Sequence, residues 1–197
     1  MPGFSNTFGP ALWALNILPL YAQDGVQGVN FETKPATAQN LIQTNYTKSG
    51  WRVLVQPEYY GLLAFSQLTP PGSKMLKVSA PPAAAGLLAW AVRAPSRRTS
   101  VVLTNLTSSA TMVRLRVAGA RGAATMQTLR AASGGLPATA RVSLGGQTIS
   151  PTTGQLTGKP VSTVVPMSQA TYDLNVPQGV YDVRVPAAGA AILTFGN

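Results

Sequence analysis

From Pro10 to Leu20 the chain is apolar on nearly every face of a helical period, through Leu12, Trp13, Leu15, Ile17, Leu18 and Leu20. That pattern predicts a buried helix and not a surface one. Ser5-Asn6-Thr7 offers capping side chains, and Pro10 suits a first turn. Pro19 lacks a backbone donor and crowds the turn before it, so a kink or an end is expected near Leu18. Asp24-Gly25 then stops the helix. Gly28-Val29-Asn30-Phe31-Glu32 reads as a short strand and residues 33–50 as a long polar loop. Pro57-Glu58 opens a second helix, which carries Tyr59, Tyr60, Leu62, Leu63, Phe65 and Leu68. Helix, short strand, long loop, helix is the rhythm of a β/α barrel. One strand cannot close a barrel and leaves both its edges unpaired, so this stretch reads as an incomplete piece of one.

After residue 75 the period changes to two. Met75–Val78, Leu87–Val92, Ser100–Leu103, Met112–Val117, Thr125–Leu129, Val180–Val185 and Ala191–Phe195 read as strands separated by Gly, Pro, Asn and Ser. Short strands at near-regular spacing predict an antiparallel sandwich. Val113, Leu115 and Val117 alternate with Arg114 and Arg116, which places both arginines outside. Residues 132–175 are the least regular part and read as a long excursion. The expected fold is therefore mainly β: a C-terminal antiparallel β-sandwich over 71–197, preceded over 1–70 by a helix-strand-helix remnant of a (β/α)8 barrel.

Charge marks the same boundary. The chain has 197 residues and a net charge of +10, from 15 Lys and Arg against 5 Asp and Glu. Residues 1–70 are neutral, with three cations and three acids, whereas residues 71–160 hold eleven cations and no acid. Thr69-Pro70-Pro71-Gly72-Ser73 is a linker-type break at the same place. The chain has no histidine and no cysteine, which excludes disulfides, Cys or His metal sites and a Ser-His-Asp triad. No cofactor motif is present. A strongly basic balance often means nucleic acid, but there is no basic helix, no aromatic–basic interleaving and no Gly-rich phosphate loop, so a nucleic-acid partner is not expected. Nor is a membrane span, because the apolar run Ala11–Ala22 is short and broken by Pro19. Met1-Pro2-Gly3-Phe4 lacks a basic leader. The compartment stays open, with secretion or a periplasmic site compatible.

Three segments carry a family resemblance. They are Phe4-Ser5-Asn6-Thr7-Phe8-Gly9-Pro10-Ala11-Leu12-Trp13-Ala14-Leu15-Asn16, Gly25-Val26-Gln27-Gly28-Val29-Asn30-Phe31 and Gln56-Pro57-Glu58-Tyr59-Tyr60-Gly61-Leu62-Leu63-Ala64-Phe65. Together they resemble the C-terminal part of glycoside hydrolase family 79, the β-glucuronidases and heparanase-like enzymes. Leu87–Val92, Val101–Asn105, Val142-Ser143-Leu144-Gly145-Gly146 and Pro186–Ala191 resemble its C-terminal β-domain. The resemblance implies that residues 10–23, 28–32 and 57–68 match the seventh barrel helix, eighth strand and eighth helix. It implies a retaining glycosidase whose two catalytic glutamates lie upstream of Phe4. This chain is then expected to be inactive alone and to need the N-terminal barrel segment as its partner, with a glucuronide or acidic glycan as ligand.

The carboxylates agree with that expectation. Retaining hydrolysis needs two carboxyl groups about 5–5.5 Å apart, and the only glutamates here are Glu32 and Glu58. Glu58 at a helix start complements the dipole. Glu32, at the strand's C-terminal end, falls on the barrel rim where sugar contacts collect. In the family, the loop after the eighth strand carries glycines and a tyrosine that hold the uronate carboxylate. Here it reads Lys34-Pro35-Ala36-Thr37-Ala38-Gln39-Asn40. Tyr46 is the nearest candidate for that tyrosine, beside the reading of an ordinary loop residue. Lys34 or Lys48 is an alternative candidate for pairing a carboxylate, beside the reading of a solvated loop lysine. Tyr59, Tyr60, Trp13 and Trp90 read as core. No residue of the chain is assigned a catalytic role. A second reading stays open: a non-catalytic carbohydrate-binding or structural β-sandwich that attracts acidic polysaccharide.

Overall fold

The computed structural model describes residues 3–31, 40–79, 86–173 and 176–196. Its elements are α1 (Phe8–Gln23), β1 (Ile42–Thr47), β2 (Gly50–Val55), α2 (Pro57–Leu68), β3 (Lys74–Leu76), β4 (Leu87–Arg93), β5 (Thr99–Asn105), β6 (Thr111–Ala118) and β7 (Ala124–Ala131). They continue with β8 (Val142–Leu144), β9 (Thr148–Ile149), β10 (Leu156–Thr157), β11 (Thr163–Val165), β12 (Gln169–Asp173), β13 (Val176–Val185) and β14 (Gly189–Phe195). The fold is mainly β with two helices, as the sequence periods predict. It divides into two compact units, Met1–Ser66 with Leu129–Val161, and Gln67–Thr128 with Ser162–Asn197. The stretch read as an excursion is thus divided: its part up to Val161 groups with the first 66 residues, whereas β11 and β12 belong to the second unit and pair into its sheets.

In the first unit α1 runs through Pro19 to Gln23 and does not end at Leu18. It closes on Asp24 and Gly25, whose φ of +81° only glycine adopts cheaply. The Val26 amide donates to the Tyr21 carbonyl at 2.9 Å, the six-to-one bond of a Schellman stop. Thr7 occupies the cap position, but its hydroxyl donates to the Phe4 carbonyl instead of capping. One free amide of the first turn, Gly9, donates to Leu136 of the excursion. Phe8, Ala11, Leu12, Leu15 and Pro19 are buried along one side of α1. Trp13 is 53% exposed, with Leu20 and Tyr21 also exposed. Spaced at i, i+7 and i+8, they form an apolar stripe on the other side. The helix is apolar all round, as read, yet Trp13 is not a core residue here.

No strand forms over residues 28–31, and Glu32 lies outside the described residues. The backbone there has no neighbouring strand among the described residues, and an unpaired strand has nowhere to place its amides and carbonyls. The strand character lies further on, where a polar loop was expected. β1 and β2 form an antiparallel hairpin with Thr47 opposite Gly50 and Tyr46 opposite Trp51. Lys48 and Ser49 make the turn, and Gly50 takes the left-handed position at φ +100°.

The second unit is the sandwich. One sheet runs β11-β7-β14-β5-β4-β3, with β8 pairing β7 off this path, and the other runs β12-β13-β6. Ala91, Val101, Leu103, Ala191, Leu193 and Phe195 of the larger sheet meet Val117, Tyr181, Val183 and Val185 of the smaller in one buried cluster. Val113 and Leu115 pack against that cluster, while Arg114 and Arg116 are exposed. The alternation read from β6 therefore holds. Arg114 Nε donates to Asp182 across the sheet at 3.2 Å, with both side chains largely in water, so the pair adds little to stability.

Candidate functional site

The hairpin carries Tyr46 and Lys48, two of the residues that sequence reasoning singled out. Successive side chains of a strand alternate between faces, so Tyr46 and Trp51, directly opposed, share one face. Their rings meet edge to face at 5.3 Å and 66°. Both stay in solvent, Tyr46 at 69% and Trp51 at 66% exposure. Asn45 and Arg52, the next opposed pair, take the other face. They help line an open groove of about 1010 Å³, together with Asn40, Gln43, Lys48 and Pro151. Pro151 belongs to the excursion, whose carbonyl accepts from the Val53 amide and holds the outer edge of β2.

Among the described residues Lys48 and Arg52 are the charged side chains that line this groove, and none of the lining residues is a carboxylate. Asn40 is 2% exposed, and its Oδ1 has no hydrogen-bond partner among the described residues. A buried acceptor without a donor is costly. Such a lining suits a polyhydroxylated, negatively charged ligand and, among the described residues, offers no acid–base pair. Tyr46 is placed beside Trp51 and not in the groove. Trp51 escaped the sequence reading, although Ser49-Gly50 between two alternating segments was the hairpin signal that pairs it with Tyr46. Glu32 and Lys34 lie outside the described residues.

The remaining described carboxylates are scattered among structural positions. Asp24 ends α1, Asp173 is the last residue of β12, Asp182 pairs Arg114, and Glu58 stands in the first turn of α2. No group of three metal-ligating side chains occurs among the described residues, and no helix is long and apolar enough to cross a membrane. Tyr60 is core, as read. It is buried, and its hydroxyl accepts from the Ile149 amide at 2.8 Å. Trp90 is buried too.

Burial holds the Glu58 carboxyl above its ordinary pKa, the direction opposite to that in which a helix dipole acts on an acid in the first turn. A carboxyl that keeps its proton more tightly when folded makes stability fall as pH rises through the usual carboxylate range. Glu58→Gln is therefore expected to raise the thermal midpoint at pH 7, with the difference closing below about pH 4. Melts across pH check this, and a wild type at least as stable as the variant at pH 7 would show that the dipole wins.

No protein-family model and no curated protein sequence matches the chain. Solved structures do. A 4-O-α-L-rhamnosyl-β-D-glucuronidase from Fusarium oxysporum matches with a TM-score of 0.66 and 17% identity, over 98% of this chain and 40% of that one. A family 51 arabinofuranosidase from Xanthomonas axonopodis pv. citri matches with a TM-score of 0.57 and 17% identity, over 97% of this chain and 36% of that one. A family 30 subfamily 8 xylanase from Clostridium acetobutylicum matches at 0.53 and 13% identity, over 98% and 40%. The chain thus has the fold of the C-terminal part of glycoside hydrolases and spans about 40% or less of the lengths of these three enzymes.

Proposed function

We propose that the chain is the C-terminal portion of a retaining, β-glucuronide-hydrolysing enzyme of glycoside hydrolase family 79. The observation that carries this reading is the likeness over 98% of the chain to a β-D-glucuronidase. The segments Phe4–Asn16, Gly25–Phe31 and Gln56–Phe65 support the same family from the sequence. In this reading Glu32 and Tyr46 contact the sugar, and Lys48 and Arg52 give the neighbouring groove a potential that suits a uronate. The nucleophile and the acid/base come from an N-terminal barrel segment. Two features of the described residues favour that division. Asp24, Glu58 and Asp182 stand at a helix end, in the first turn of a helix and in an ion pair with Arg114, roles other than the paired carboxyl groups of retaining chemistry. And the stripe of Trp13, Leu20 and Tyr21 leaves α1 with an apolar side free for that segment.

The purified chain is expected to give no turnover of 4-nitrophenyl β-D-glucuronide. Turnover that disappears in Glu32→Gln would overturn the reading. Fused behind the barrel of a family 79 enzyme, in place of that enzyme's own C-terminal part, the chain is expected to restore glucuronide cleavage. A folded fusion that cleaves the β-glucoside and not the β-glucuronide would also overturn it.

A further inference from the structure

The second unit concentrates positive charge, with nine cations against two acids. Four of the nine collect at one end of its larger sheet. Lys74 at the start of β3 stands directly opposite Arg93 at the end of β4. Arg97 and Arg98 lie in the turn that leads from β4 into β5. All four are exposed, and none has an acidic partner among the described residues, whose one ion pair is Arg114–Asp182.

The arrangement works against the fold in two ways. Like charges directly opposed across a strand pair repel, with side chains about 5 Å apart at their bases. The turn itself adds the second cost. The Ala94 carbonyl accepts from the Arg97 amide at 2.9 Å, and the Ala94 amide donates to the Arg98 carbonyl at 3.0 Å. Pro95 fits the second position of such a turn, and the residue that closes it must be left-handed. Arg97 occupies that position at φ +65°. In the β1–β2 hairpin the corresponding place is taken by Gly50. An arginine where glycine is favoured, beside an unneutralised lysine–arginine pair, is an observed strain of the kind that marks binding sites. Guanidinium groups pair with carboxylate or sulfate oxygens through two parallel hydrogen bonds, so an anionic chain would relieve the repulsion.

We propose that Lys74, Arg93, Arg97 and Arg98 form a docking site on the sandwich for an acidic polysaccharide, carboxylated or sulfated. The four cations offer no aromatic platform on which a nucleobase would stack, and the fold is one found in carbohydrate-cleaving enzymes, so a glycan is favoured over a nucleic acid. The site lies on the sandwich and stands whether or not the hydrolase reading of the whole chain holds.

The test measures binding of the full chain to heparin and to hyaluronan oligosaccharides, with a neutral β-glucan and an oligo-dT as comparisons. Heparin tighter than hyaluronan identifies sulfate as the preferred group, and the reverse identifies carboxylate. Binding to one or both is expected to weaken with salt. It is expected to fall about tenfold or more in Lys74→Gln/Arg97→Gly/Arg98→Gln, and far less in Arg116→Gln/Arg121→Gln/Arg130→Gln, which loses the same charge elsewhere. Arg97→Gly alone is expected to raise the thermal midpoint while weakening binding, which separates loss of the site from loss of the fold. Four results overturn the proposal: no binding of either glycan at low salt, equal losses in the two triple variants, oligo-dT bound as tightly as the glycans, or Arg97→Gly binding like wild type.

Discussion

Gly61→Ala is expected to destabilise the first unit by about 3 kcal/mol or more, the upper end of what overpacking costs. Gly61 lies where α2 crosses α1. A Cβ added there would sit 2.9 Å from the Ala11 carbonyl carbon and closer still to its oxygen. Those atoms are helix backbone and cannot swing aside as a side-chain tip does. To make room the helices must separate, and Phe8, Ala11, Leu12 and Leu15, all fully buried, would lose contact together. Against a total stability of about 5–15 kcal/mol, that loss brings the unit near unfolding. The control is Gly28→Ala, where an added Cβ meets nothing within 4 Å and no positive φ is imposed. It should be neutral or stabilise by up to about 1 kcal/mol through the unfolded state. Urea denaturation followed by tryptophan fluorescence measures both. A Gly61→Ala loss under about 0.5 kcal/mol would mean that the two helices do not cross at this distance.

The same crossing shows what a sequence reveals of such a fold and what it withholds. Leu12 and Leu15 declare a buried face because the helical period is local, and Asp24-Gly25 ends α1 for an equally local reason. That Gly61 faces Ala11 is a matter of tertiary approach, and nothing near residue 61 encodes it. Seven sandwich strands, β3 to β7, β13 and β14, were legible, β6 most clearly, because Val113, Leu115 and Val117 alternate with two arginines, whereas β11 and β12 fell in the stretch read as an excursion. The hairpin was not. Gln43, Thr44, Asn45 and Thr47 of β1 have the polarity of a loop, and only their register with β2 makes them a strand. Conversely, Gly28–Phe31 has strand-like residues but no strand partner among the described residues, so propensity alone did not produce a strand. In the candidate site Tyr46 was legible as an aromatic on a polar segment. Trp51 beside it required knowing where the turn falls. Glu58 was legible as a helix-start acid, but its burial, which raises its pKa, depends on packing.

Tyr181→Ala is the other substitution expected to be severe, costing the sandwich about 3–5 kcal/mol. Tyr181 is fully buried in β13 and packs edge to face on Phe195 of the opposite sheet at 4.9 Å and 64°. Its hydroxyl donates to the Gly122 carbonyl at 2.8 Å. Removing the ring opens a cavity between the two sheets, where Val117, Val183 and Leu193 belong to the same cluster. Tyr181→Phe separates the contributions. It keeps the ring and removes the one donor, so about 1 kcal/mol is expected, and the remainder of the alanine effect belongs to packing. The ring also explains a glycine two residues earlier. A Cβ at Gly179 would lie 2.7 Å from Tyr181 Cε2 and from its hydroxyl oxygen, so Gly179→Ala should push the ring off both Phe195 and Gly122 and resemble the alanine variant more than the phenylalanine one. Denaturation midpoints of the three variants order these terms. If Tyr181→Ala costs no more than Tyr181→Phe, the ring contributes nothing by packing, and the contact between the two sheets does not depend on it.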